Sequence, residues 1–138
     1  MRKEEQRLWN TMRNNKPRRI LLNRVENYVG AGMPDVYLRS LGLAVWVELK
    51  SPTAPKKVTT RLLGDQGLSV EQINWHLESA SLELPTWILI RDSLKRLWVA
   101  PGRMAVVINE LTAVELDAQA HRCKTWHDAF MTITTSEL

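Results

Sequence analysis

The chain has 138 residues, 44% hydrophobic and 25% charged, which is long enough for one domain with a real core and too short for two. Its lone cysteine, Cys123, excludes an intramolecular disulfide and points to a reducing, intracellular, cytoplasmic setting. No apolar run reaches the length of a membrane span, the basic N-terminus lacks a signal peptide's apolar segment, and the net charge of +4 is only a weak pointer to polyanionic partners.

In chain order, KEEQRLWNTMRNN (3–15) predicts an amphipathic helix with Leu8, Trp9 and Met12 on one stripe and Glu5 at its edge. Pro17 cannot continue it. RRILLNRVENYV (18–29) predicts a strand with a break near Asn23, and Gly30–Gly32 form a flexible approach that bends the strand entry or lets backbone meet a substrate. Two strands follow, Val36–Leu41 and Ala44–Lys50, around a turn at Gly42. The loop 51–67 holds two prolines and a basic pair and is expected to be mobile without a partner. LSVEQINWHLESASLEL (68–84) predicts a helix with a capping box from Ser69 to Gln72. TWILIRD (86–92) reads as a buried strand and LKRLWVAP (94–101) as an edge strand ended by Pro101. Helices are expected over RMAVVINEL (103–111) and, capped by Thr112, over AVELDAQAHR (113–122). Together these elements predict one α/β (α+β) domain over 1–138, with a mixed central sheet flanked by helices. Its core is expected over about 4–100, a helical extension over about 101–130, and a loose tail over 131–138.

Two basic clusters stand out, one around Arg18, Arg19 and Arg24, the other Lys56, Lys57 and Arg61, and either could neutralise phosphates of DNA. A solvated surface is the plain alternative for both.

The hairpin carries the chemistry. Residues two apart in a strand share a face, so Glu48 and Lys50 point with Trp46, while Val45, Val47 and Leu49 point into the core. Pairing the strands across a four-residue loop, Ser40 to Leu43, sets Tyr37 opposite Trp46 and Asp35 opposite Glu48. Two carboxylates at contact distance repel by on the order of 4 kcal/mol at a surface-like dielectric. Protonation of one, partial compensation by Lys50, or a divalent cation held between them could offset that. With a metal present, Lys50 could position or deprotonate an attacking water, or stabilise charge on a phosphate oxygen.

The pattern resembles the Pro-Asp…Glu-x-Lys signature of the PD-(D/E)xK nuclease superfamily. The fuller set EEQRLW, VENYVGAGMPDVYL, VWVELKSP and LSVEQINW is similar to the virus-type replication–repair nuclease (VRR-NUC) group, which includes small stand-alone phage proteins. That resemblance implies a restriction-endonuclease-like α/β/β/β/α/β core, Mg²⁺ or Mn²⁺ dependence and hydrolysis of DNA phosphodiesters. It would make Asp35, Glu48 and the Leu49 main-chain carbonyl metal ligands and Lys50 the catalytic lysine. Glu5 matches the acidic position of the first helix, with Glu4 adjacent and competing, and Gln72 matches a glutamine beside the active site, a role with which its capping-box reading competes, since one glutamine could do both only in part. A homodimer acting on branched DNA such as Holliday junctions is implied, with replication or repair partners open. A catalytically silent DNA-binding module, or a nuclease subunit needing a helicase, are the rival readings.

His121, Cys123 and His127 lack a fourth ligand, and a helix would spread them, so the sequence favours no zinc site there. His76, one turn after Gln72, is expected to meet solvent or a substrate phosphate. Trp9, Trp75, Trp87 and Trp98 fit core positions, whereas Trp46 could pack against substrate.

Overall fold

In the computed structural model, which describes residues 3–25 and 32–135, the sheet grows outward from the predicted hairpin. Strands β2 (Val36–Ser40) and β3 (Leu43–Lys50) pair antiparallel with Tyr37 opposite Trp46 and Arg39 opposite Ala44, the register that alternation predicts. The turn is tighter than expected. Ser40 pairs with Leu43, leaving only Leu41 and Gly42 to reverse the chain, with Gly42 at φ +70°. Two-residue hairpin turns need positive φ, and glycine adopts it without steric cost.

β1 (Leu21–Arg24) lies antiparallel beyond β2 and runs unbroken through Asn23. The rest of that predicted strand, from Glu26 onward, and the approach at Gly30 and Ala31 lie outside the described residues. β4 (Thr86–Arg91) pairs parallel with β3, so the chain must cross over between them, and α2 (Val70–Ser81) makes that crossing. With α1 (Lys3–Asn14), the order through β4 is α/β/β/β/α/β, as the resemblance implies.

β5 (Leu97–Pro101) is not an edge strand. β6 (His121–Cys123) pairs beyond it and completes a six-stranded mixed sheet in the order β1-β2-β3-β4-β5-β6. Three residues reading His-Arg-Cys carry no apolar alternation, so neither β6 nor the inner position of β5 shows in the sequence. Residues 103–111 are not one helix but two 3-10 turns, Gly102–Val106 and Ile108–Glu110. α3 (Ala113–Gln119) has the Thr112 cap as a full capping box with Glu115. The expected tail is helical as far as described: α4 spans Trp126–Thr135, because Ala129, Phe130 and Ile133 form a buried stripe. Among the described residues, no helix is long and apolar enough to cross a membrane.

The helices cover the two sheet faces unequally. On one face α1 and α4 pack Leu8, Trp9, Met12, Phe130 and Ile133 over Val45, Val47 and Leu49. On the other, α2, α3, the 3-10 turns and the loop residues Leu62 and Leu63 cover Ile88 and Ile90 of β4 and Trp98 and Ala100 of β5. Among the described residues, β1, β2 and β3 contribute nothing to this second cluster. That half of the face carries Asp35, Glu48 and Lys50 instead.

The loop 51–67 is more firmly attached than expected. Thr53 N–H donates to Gln66 Oε1 at 2.7 Å, Ala54 N–H to Ser93 Oγ at 2.8 Å, and Leu62 N–H to the Leu111 carbonyl at 2.9 Å. Residues 56–60 between these anchors are exposed. The C-terminal helix bears on stability in the same way: Phe130→Ala is expected to cost about 3–5 kcal/mol, read as a lower urea midpoint at unchanged m.

Candidate active site

Continuing the β2–β3 register by one pair brings Asp35 beside Glu48, and one pair further places Pro34 opposite Leu49. An antiparallel partner there would normally exchange main-chain hydrogen bonds with Leu49, but proline has no N–H to give. The Asp35 side chain takes over part of that role: its Oδ2 accepts the Leu49 N–H at 3.1 Å. A residue's N–H and C=O point to the same edge of a strand, so the Leu49 carbonyl opens beside Asp35 without a donor from Pro34. The Pro-Asp dipeptide thus ends the β2–β3 ladder and leaves oxygen atoms where it ends.

Glu48 is 1% exposed. Burial pushes its pKa well above the usual carboxylate range, and the neighbouring Asp35 carboxylate and the Glu5 charge push the same way; Lys50 opposes them. Its Oε2 accepts from Gln72 Nε2 at 3.2 Å. Its Oε1 has no hydrogen-bond partner among the described residues and lies 3.8 Å from His76 Nε2, too far for a hydrogen bond.

Gln72 does two jobs at once. It closes the predicted capping box, with its N–H donating to Ser69 Oγ at 3.1 Å and its Oε1 accepting the Ser69 N–H at 2.9 Å. The same Oε1 also accepts from Lys50 Nζ at 3.1 Å, while Nε2 reaches Glu48. A primary amide has two acceptor lone pairs and two donor hydrogens, so both sets of contacts can be made together. The α2 N-terminus is therefore pinned to the Glu48–Lys50 strand.

His76 is fully buried rather than solvent-facing. Its Nδ1 is 2.8 Å from Thr86 Oγ1, and burial with the nearby Lys50 charge lowers its pKa to about 4. At neutral pH the ring is neutral. Two glycines make room for this packing. A Cβ on Gly102 would stand 1.8 Å from Thr86 Oγ1, and one on Gly32, at φ +87°, would stand 2.2 Å from the Glu71 carbonyl oxygen in the first turn of α2. Gly32 therefore serves close approach to α2. The roles of Thr86 and Gly102 have no motif, and only their contacts in the fold reveal them.

Glu5 is half-buried in the first turn of α1, and its charge acts on Glu48. Glu4 is exposed and lines a separate groove of about 260 Å³ with Arg7, Ser51, Arg91 and Lys95. Of the predicted DNA-binding cations, Arg18, Arg19, Lys56 and Lys57 are exposed. Arg24 donates to Gln6 Oε1, and Arg61 is ion-paired with Glu110. Trp9, Trp87 and Trp98 are buried, but Trp75 is only half-buried, beside Trp46 and Tyr37. Near the C-terminus, His121 and Cys123 lie on a strand and come close to Asp128, not to His127. Asp128 already accepts from Lys124 N–H at 3.1 Å and lies 2.9 Å from His121 Nε2, while burial pushes the Cys123 thiol up to about 12.

Asp35, Glu48 and the Leu49 carbonyl form an all-oxygen donor set of the kind hard divalent cations prefer, and the partnerless Glu48 Oε1 suits that use. Compared with protein-family models and with curated proteins, the chain matches none. Among solved structures it is similar to Hjc, a Holliday junction resolvase from Archaeoglobus fulgidus, with 12% sequence identity and a TM-score of 0.49, over 73% of this chain and 76% of that one.

Two stability measurements probe this geometry. Glu48 has a raised pKa in the folded state, so its ionisation costs stability as pH rises through and above the ordinary carboxylate range. Glu48→Gln should therefore melt higher than wild type at about pH 8, with the gap closing towards about pH 4. His76 acts in the opposite sense, losing stability as pH falls from about 6.5 to about 4. Separately, Ser69→Ala, which removes only the cap hydroxyl, should cost about 1 kcal/mol. Gln72→Ala should cost a further 1–3 kcal/mol or so in denaturant unfolding, because Glu48 Oε2 and Lys50 Nζ lose a buried partner as well.

Proposed function

We propose that the chain is a metal-dependent endonuclease that hydrolyses DNA phosphodiester bonds at the end of the β2–β3 ladder. The observation that carries this reading is the convergence of Asp35 and a buried Glu48 oxygen, without a hydrogen-bond partner among the described residues, beside Lys50 and Gln72. Asp35, Glu48 and the Leu49 carbonyl would hold Mg²⁺ or Mn²⁺, with Glu5, whose charge acts on Glu48, the N-terminal glutamate that would face the ion. When bound, such an ion supplies water activation and polarisation of a phosphoryl oxygen.

The chain's own groups do the rest. Lys50 is buried in the sheet with its ammonium pointed at Gln72 Oε1, so its remaining N–H bonds can face a phosphate oxygen and stabilise the charge that builds there. Gln72 fixes the separation of that ammonium from Glu48. Exposed Arg18, Arg19, Lys56 and Lys57 would hold the nucleic-acid backbone at a distance, reading charge and shape rather than sequence. The sequence resemblance to VRR-NUC proteins supports membership of that nuclease group, a homodimer and a preference for branched DNA.

Cleavage of a labelled four-way junction and a matched linear duplex in Mg²⁺, Mn²⁺ or EDTA tests the reading. Wild type should cut only with metal, and Lys50→Ala should lose about 100-fold or more in rate. Binding without cutting in every metal would overturn it and leave a catalytically silent DNA-binding module.

A further inference from the structure

Beside the carboxylates, Tyr37 and Trp46 of the sheet and Trp75 of α2 form a group of three aromatic rings that the proposed hydrolysis does not use. Tyr37 and Trp46 are cross-strand partners with ring centroids 4.9 Å apart and planes at 42°. Trp75, from α2, meets Trp46 edge-on at 6.3 Å and 76°. All three are half-buried, whereas Trp9, Trp87 and Trp98 are in the core. The next row outward, Leu21, Arg39 and Ala44, is exposed. No apolar cluster closes over these rings among the described residues.

We infer that this aromatic wall seats an unpaired nucleobase next to the phosphate being cut, so that the site selects DNA carrying unpaired nucleotides. The inference rests on the nuclease reading of Asp35 and Glu48. Three chemistries follow one another along β2 on one face at two-residue steps of about 6.8 Å: the Asp35 carboxylate, the Tyr37 ring, and the exposed Arg39 guanidinium. β3 repeats the first two with Glu48 and Trp46. A nucleotide whose phosphate lies at the acids would lay its base, which branches from the sugar beside the backbone, on the rings, and leave a phosphate further along the strand within reach of Arg39. Arg39 is steadied by donating from Nη2 to Asn23 Oδ1 at 3.0 Å, and a guanidinium keeps other N–H bonds for an anion. A paired base has both faces covered by its neighbours in the stack. Inside a duplex only an unpaired base offers a free face to a tryptophan or tyrosine ring, and every base has such a face, so this selection is for strandedness rather than sequence.

The test is fluorescence anisotropy in EDTA, where no cutting occurs. The probes are a duplex with a short single-stranded arm, the same duplex with an abasic arm of equal length, and the blunt duplex. Wild type should bind the base-bearing arm about 5- to 150-fold more tightly than the abasic one. Trp75→Ala and Tyr37→Ala, on different elements, should each bring that ratio close to one while leaving abasic affinity unchanged, which also shows that the variants are folded. A wild-type ratio near one, or a ratio intact in both variants, overturns the inference. So does a dimer that Trp75→Ala dissociates without changing the ratio, since the wall would then belong to a second copy of the chain. Metal-dependent cutting of the same probes, abolished by Lys50→Ala, tests the nuclease reading separately. Loss of cutting with the ratio intact defeats that reading alone, and cutting without the ratio defeats only the base seat.

Discussion

The arrangement around the candidate site depends on keeping one carboxylate out of water next to another. Glu48 is buried and adjoins Asp35, an arrangement that burial and like charge both oppose. The surrounding contacts limit that cost from three sides. Asp35 is steadied by the Leu49 N–H, Glu48 Oε2 by the Gln72 amide, and the Lys50 ammonium lies within the same network. Among the described residues, Glu48 Oε1 and His76 Nε2, 3.8 Å apart, are left without a hydrogen-bond partner.

The geometry is transmitted from a distance by backbone fit. α2 is placed by Gln72 at its N-terminus, by close approach of Gly32 to the Glu71 carbonyl, and by His76 against Thr86 one turn further on. Gly102, at the end of β5, leaves room for the Thr86 hydroxyl. Residues from four segments of the chain therefore fix the position of a single carboxylate. A shift of α2 of a few tenths of an ångström would change the environments of Glu48, Lys50 and Trp75 together.

Sequence and structure agree most closely where local rules have no competitor. Alternation and the turn glycine determine the register that brings Asp35 to Glu48, and the Ser69–Gln72 capping box is present as read. The double use of Gln72 was legible only as a competition, because whether one amide can meet both demands depends on the distance between α2 and β3. His76 looked surface-bound because a histidine one turn from a polar cap usually is; its burial follows from packing against Thr86 and Gly102, residues ten and twenty-six positions away. The C-terminal third was hardest to read. β6 is three residues without apolar alternation, the 103–111 segment splits into 3-10 turns, and the expected tail ends a helix whose buried stripe supplies one face of the core.

The parallel β3–β4 pairing has a consequence for how the site comes into being. A hairpin forms locally, but the strand beside Lys50 arrives only after the chain has closed a loop of some forty residues, with α2 carried across within it. The Asp35–Glu48 pair can thus meet in an early hairpin, whereas Gln72, His76 and Thr86 reach it only with the long-range sheet. Before then, the two acids sit at the solvated open end of the hairpin, with ordinary affinity for protons and weak affinity for ions. On the nuclease reading, a nascent or partly unfolded chain would be chemically inert towards nucleic acid, and the capacity to cut would appear together with the finished sheet.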